Sequence, residues 1–202
     1  MPPTTKGRRT EAAFLDAARQ VFAEKGYLNT KISDIAETAG RSTGSFYNYY
    51  ENKEQLLEAL LEQFTGEVVE ASLSTKHPDP ESGVRAAVTA YWTTYRKYLP
   101  EIVGLFQMSM LDDTFRQRWR ENRASGIKQV LSGLQGADRA GYRVDLPLDV
   151  LASALVSALE SSCYTWLAAG GDLNVARPDD ETAIDVLSAI WYRTVYGPGT
   201  AD

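Results

Sequence analysis

The chain has 202 residues, 44% hydrophobic and 24% charged, an ordinary globular composition with room for one large domain or two small ones. No run approaches the ~20 apolar residues of a membrane span, the start MPPTTKGRRTEAAF lacks the apolar core of a signal peptide, and the single cysteine, Cys163, excludes an internal disulfide, so a cytoplasmic protein is expected. The net charge of −6 is uneven: residues 1–53 hold eight Lys/Arg against six Asp/Glu, or +2, which leaves −8 on residues 54–202 and suggests two modules with different partners.

Helical spacing runs through the whole chain, and no strand alternation extends beyond a few residues. Phe14, Ala17, Ala18, Val21 and Phe22 form a first stripe, with Gly26 placed to end the helix. Ile32, Ile35, Ala36 and Ala39 form a second, shorter stripe closed by Gly40. Ser42 can cap a third short helix reaching Tyr50. Asn52 and Gln55 make a capping pair for a long fourth helix, whose stripe is Leu56, Leu57, Leu60, Leu61, Phe64 and Val68.

The segment STKHPDPES, residues 74–82, breaks the pattern with two prolines. Val84, Val88, Tyr91, Tyr95 and Leu99 resume it until Pro100, and a short apolar piece, EIVGLFQMSML, follows. Residues 112–134 read as another helix, and QGADRAGYRVD after them as a loop. Pro147 opens a helix carrying Leu148, Leu151, Leu155, Leu159 and Trp166, which Gly170 and Gly171 close. A last helix carries Ile184, Leu187, Trp191 and Val195. The expectation is an all-α chain of about nine helices. It divides into a helix-turn-helix domain at 7–53 and a helical body at 54–196, with disordered tails at 1–6 and 197–202.

The informative stretch is GRSTGSFYNYYENKEQL, residues 40–56, where four of the five residues 46–50 are aromatic. Two short helices joined at a glycine are a helix-turn-helix candidate. Ala36 and Ala39 are small enough for a close crossing, and Gly40 suits the turn. Thr43, Gly44 and Ser45 are short and polar at the start of the second helix, where side chains face base edges. Phe46 and Tyr50, four apart, share an inward face. Tyr47 and Tyr49 can lay their rings along the helix with hydroxyls toward phosphate, Asn48 faces groove or solvent, and Lys53 is a natural phosphate contact. The basic cluster Lys6, Arg8 and Arg9 reads either as a solvated tail or as a DNA-contacting arm.

Residues 30–60 resemble the DNA-binding segment of the TetR family of bacterial transcriptional regulators. The resemblance rests on Thr30, Ile35, Ala36, Ala39, Gly40, Ser42, Gly44, Phe46, Tyr47, Tyr49, Lys53, Glu54 and Leu56. The chain departs from the pattern at Arg41, where valine is usual, and at Tyr50, where phenylalanine is usual. The resemblance implies a homodimer with a three-helix N-terminal DNA-binding domain. It also implies a larger helical domain holding a small-molecule pocket, with the last two helices as the dimer interface. Most such proteins are repressors released from their operators by ligand, so a repressor on an inverted-repeat operator is expected. The DNA-binding residues expected are Thr30, Lys31, Arg41, Ser42, Thr43, Gly44, Ser45, Tyr47, Asn48, Tyr49 and Lys53.

In the body, tyrosines, tryptophans and methionines are numerous for plain packing. Trp92, Tyr95, Phe106, Met110, Trp119 and Trp166 are the candidate lining of a cavity for an apolar or aromatic effector, with Pro100 and Gly104 as helix breaks. Leu155, Leu159, Leu187 and Trp191 are the candidate dimer contacts. The alternatives are a ligand-independent regulator or activator, or a helical small-molecule carrier. Enzymatic work is not expected: the one histidine, His77, leaves no material for a His-based metal site or triad, and no cofactor or metal is called for.

Overall fold

The computed structural model describes residues 4–73, 77–142 and 144–197. Among these the chain is all α-helical. Its helices are α1 (Thr5–Lys25), α2 (Ile32–Thr38), α3 (Thr43–Phe46), α4 (Lys53–Leu73), α5 (Pro80–Lys97), α6 (Leu99–Ser109), α7 (Asp113–Arg139), α8 (Leu148–Cys163) and α9 (Asp180–Tyr196). A π-helical turn, Tyr164–Ala168, prolongs α8. The helices fall into two compact units, Met1–Phe64 with Tyr98–Phe115, and Thr65–Lys97 with Arg116–Asp202. The contiguous head expected at 7–53 is thus part of a larger unit that also takes in the first half of α4 and all of α6.

In the first unit, α1 starts where Thr4 accepts a hydrogen bond from the Gly7 amide at 3.1 Å, so Lys6, Arg8 and Arg9 are helical rather than part of a loose tail. The expected tail at 1–6 otherwise lies outside the described residues, as do 198–202. Gly26 ends α1 at φ 73°, a left-handed conformation that glycine adopts without strain. The core joins Phe14, Ala18, Val21 and Phe22 of α1 to Ile35, Phe46, Leu56, Leu57 and Leu60, all buried. Asn52 accepts from the Gln55 amide at 2.8 Å, and the Gln55 side chain accepts from the Glu51 amide at 2.7 Å, which fixes the start of α4.

α6 packs on α1. Pro100 lies in its first turn, where a proline removes no helical hydrogen bond. Gly104 is not the break expected: α6 runs through it, and it is a point of contact. A β-carbon there would stand 2.7 Å from Cβ of Tyr27, so only glycine admits that ring.

The second unit is organised on α5, which packs against α8 and α9. Arg85 pairs with Asp185, Arg96 pairs with Asp180, and the Trp92 indole donates to Asp180 at 3.2 Å. A separate apolar cluster joins Leu134 and Ala137 of α7 to Leu151, Ala152 and Leu155 of α8 and Val195 of α9. That cluster explains why α7 runs to Arg139 instead of stopping near 134. Leu134 and Ala137 need helical spacing to stay on it, and the glycine that ends the segment is Gly141, at φ 92°.

Candidate nucleic-acid interface

The helix-turn-helix is built from α2 and α3. Gly40 takes φ 63° in the turn, and the Arg41 amide donates to the Ala36 carbonyl at 2.9 Å. Ser42 accepts from the Ser45 amide at 3.1 Å, the cap expected of it. α3 is shorter than its aromatic run suggested: four helical residues, then turns through Tyr49. The aromatics explain the shortening. Phe46 is fully buried, with Phe14 edge-on at 5.5 Å, and Tyr50 is buried at 5.7 Å from Phe46. Tyr49 is half-buried, its ring 5.8 Å from Phe14. Three of the four rings are therefore held by the core, and Tyr47 alone is well exposed, at 58%.

Thr43, Gly44 and Asn48 are exposed and Ser45 half-exposed. They leave a short polar ledge at the start of α3, beside the exposed Tyr47 and Arg41. Lys31 is exposed at the start of α2, where its amide donates to Asp34 at 3.0 Å. The Asp34 carboxyl is held below its ordinary range by that bond, helped by Lys25 at 3.1 Å.

Two expected DNA contacts have inward hydrogen-bond partners. The Lys53 ammonium donates to the Tyr27 carbonyl at 2.7 Å and the Thr30 carbonyl at 2.8 Å, and lies 4.3 Å from the centre of the Tyr27 ring. Burial pulls its pKa down. Thr30 is buried, and its hydroxyl donates to the Gly26 carbonyl at 2.8 Å. Both residues staple the turn that launches α2. The sequence reading missed the hub of this staple, Tyr27. Its hydroxyl donates to Glu54 at 3.3 Å, and its ring meets Phe22 edge-on at 5.2 Å. The one signal was an aromatic directly after the helix-ending Gly26.

The candidate ligand residues are divided between the two units. Phe106 and Met110 belong to the first unit, and Met110 is 63% exposed. Trp92, Tyr95, Trp119 and Trp166 belong to the second, with Trp92 and Tyr95 buried and Trp92 6.2 Å from Trp166. Arg123, 4.9 Å over the Trp119 ring and paired with Glu160, adds a charge that had not been anticipated there. Cys163 is fully buried, and burial pushes its thiol pKa well up, which disfavours the reactive thiolate.

The candidate dimer contacts Leu155, Leu159, Leu187 and Trp191 lie on α8 and α9. Leu155, Leu159 and Leu187 are buried within the single chain, and Trp191 packs on the α7–α8–α9 cluster. They sit on the helix faces that close the unit's own core. The large apolar residues left exposed on α8 and α9 are Val150, Val186 and Ile190.

A capped turn, a short polar ledge and a stapled three-helix head define a helix-turn-helix DNA-binding protein. Residues 14–60 match the profile of bacterial regulatory proteins of the tetR family. The transcriptional repressor AcnR of Corynebacterium diphtheriae is 30% identical over 167 residues, covering 82% of this chain and 83% of that one. The repressor KstR2 of Rhodococcus jostii is 27% identical over 201 residues, covering 91% and 89%. The same fold is seen in a tetR-family regulatory protein of Rhodococcus RHA1, with TM-score 0.72, 24% identity and coverage of 96% and 98%. It recurs in PfmR of Thermus thermophilus, with TM-score 0.69, 19% identity and coverage of 92% and 98%. The chain belongs to the TetR family of bacterial transcriptional regulators.

Proposed function

We propose that this regulator is a cytoplasmic homodimeric repressor, held on an inverted-repeat operator and released by a small apolar or aromatic effector. The observation that carries the DNA part is the exposed ledge Thr43–Gly44–Ser45 beside Tyr47, mounted on a head whose other aromatics are all committed to its core. Thr43 and Ser45 read bases, Tyr47 and Arg41 contact phosphate, and Lys31, Ser42 and Asn48 flank them. Lys53, Thr30 and Tyr49 hold the head together. Repression is supported by the two relatives named as repressors over most of their length.

The effector reading is supported by the aromatic set Trp92, Tyr95, Trp119 and Trp166 in the second unit. Dimerisation is supported by the exposed Val150, Val186 and Ile190 on α8 and α9. The test is a gel-shift titration of the purified protein against the DNA flanking its own coding sequence, footprinted at several salt concentrations. The expected result is one protected inverted repeat whose affinity falls steeply with salt, because phosphate contacts release counterions. Weak, uniform binding along the fragment would overturn the operator reading. Tryptophan fluorescence during titration with small lipophilic compounds, followed by operator release on the hits, tests the effector.

A further inference from the structure

One buried carboxylate of the first unit has no part in reading DNA. Glu101, in the first turn of α6, is wholly buried, and neither of its oxygens has a hydrogen-bond partner among the described residues. Arg19 of α1 faces it, with Nε 3.6 Å from Oε1. That Nε is also without a hydrogen bond. The rest of the guanidinium is engaged elsewhere: Nη2 donates to the Tyr98 hydroxyl at 3.2 Å and to Gln63 of α4, and Nη1 reaches the exposed Asp16 at 3.4 Å. Arg19, Asp16 and Tyr98 are thus the titratable neighbours, and α4 contributes a neutral amide.

Such a pair holds two helices weakly. Its attraction is offset by the water both ions give up, and the unmet oxygens add to the cost. An apolar side chain at 101 would bind α6 to α1 more firmly. One turn along the same face, Gly104 lies against Tyr27. Tyr27 supplies the carbonyl and the ring on which Lys53 staples residues 27–30, the turn that launches α2.

We propose that Glu101 is a positioning residue for the DNA-reading head: facing Arg19, it keeps the docking of α6 near balance, and α6 passes its position through Gly104 and Tyr27 to the turn before α2. The inference rests on this unit being the one that reads DNA. Its test uses no DNA, so the two can fail separately. The sign follows from burial, which raises the Glu101 pKa above its ordinary 4.5 despite its own backbone amide and Arg19. The docked form holds the proton more tightly than the undocked one. Docking is strongest at low pH and weakens as pH climbs through the raised value, because the ion then favours the hydrated, undocked arrangement.

The experiment is amide hydrogen exchange read by mass spectrometry on the full chain between pH 4.5 and 9, corrected for the intrinsic rate of each peptide. In the wild type, exchange in 99–109 and 26–31 should rise together, by up to about tenfold per pH unit while one proton is lost. In Glu101→Gln both segments should stay flat, because the isosteric amide does not titrate. Three results would overturn the proposal: a flat wild-type profile, the same rise in wild type and Glu101→Gln, or a rise in 99–109 that leaves 26–31 unchanged. The first and third need no variant, so they decide even if Glu101→Gln folds poorly.

Discussion

The Tyr50 hydroxyl is buried with no hydrogen-bond partner among the described residues, and burial, with Glu11 nearby, pushes its pKa up to about 12. A buried unpaired hydroxyl costs about 1–3 kcal/mol, so Tyr50→Phe should raise stability by roughly 1 kcal/mol in urea unfolding. Unchanged or lower stability would mean that the hydroxyl is satisfied after all. The residue type was legible in the sequence as a departure from the family pattern, and its consequence needed the packing. Lys53 shows the reverse. Its position after a DNA-reading helix made it look like a phosphate contact, because sequence gives spacing and not direction. The structure turns it onto two carbonyls. Lys53→Met keeps the stem over Tyr27 but strands those carbonyls, and should destabilise the free protein by about 1–3 kcal/mol. If Lys53→Met lost DNA affinity with stability intact, the lysine would be a phosphate contact. Tyr47→Phe should do that instead, since its ring is largely exposed.

At the scale of helices, hydrophobic periodicity located most elements, α6 being read only as a short apolar piece, and the ends went wrong where distant contacts decide. α3 is cut short because Tyr49 and Tyr50 turn back onto the core, and α7 is prolonged because Leu134 and Ala137 have partners on α8 and α9. Glycines make this testable, since the sequence cannot separate one that breaks a helix from one that admits a neighbour. Gly133 in α7 is exposed, and a β-carbon there would meet nothing within 4 Å. Gly133→Ala should stabilise by up to ~1 kcal/mol through helix propensity alone. Gly104→Ala gains the same propensity but drives a methyl into Tyr27, and overpacking of that kind costs about 1–3 kcal/mol. The two variants should therefore shift the thermal midpoint in opposite directions. Shifts of the same sign would show that Tyr27 yields easily and that α6 is loosely seated.

For the whole molecule, the proposed dimer would need faces of α8 and α9 free to meet a second copy. Apolar stripes in the sequence pointed to Leu155, Leu159, Leu187 and Trp191, but a stripe marks any buried face, whether the covering comes from the same chain or another. Those side chains are buried or partly buried in this chain, and Val150, Val186 and Ile190 are the large apolar side chains left exposed on α8 and α9. The two assignments make different predictions. Leu187→Arg puts an unpaired charge into the core of a single chain, at a cost of several kcal/mol, so it should lower the melting temperature whatever the protein concentration. Ile190→Arg, at a site half-exposed in the lone chain, leaves the guanidinium in water until a second copy covers it. It should give a folded monomer in analytical ultracentrifugation, while the wild type sediments as a dimer at micromolar concentration. The monomer should keep its helical signal and lose operator affinity more than any single change on the α3 ledge does, because two heads on one duplex bind far more tightly than one. A wild type that sediments as a monomer would overturn the dimer, and an Ile190→Arg variant that remains dimeric would place the contact elsewhere on the chain.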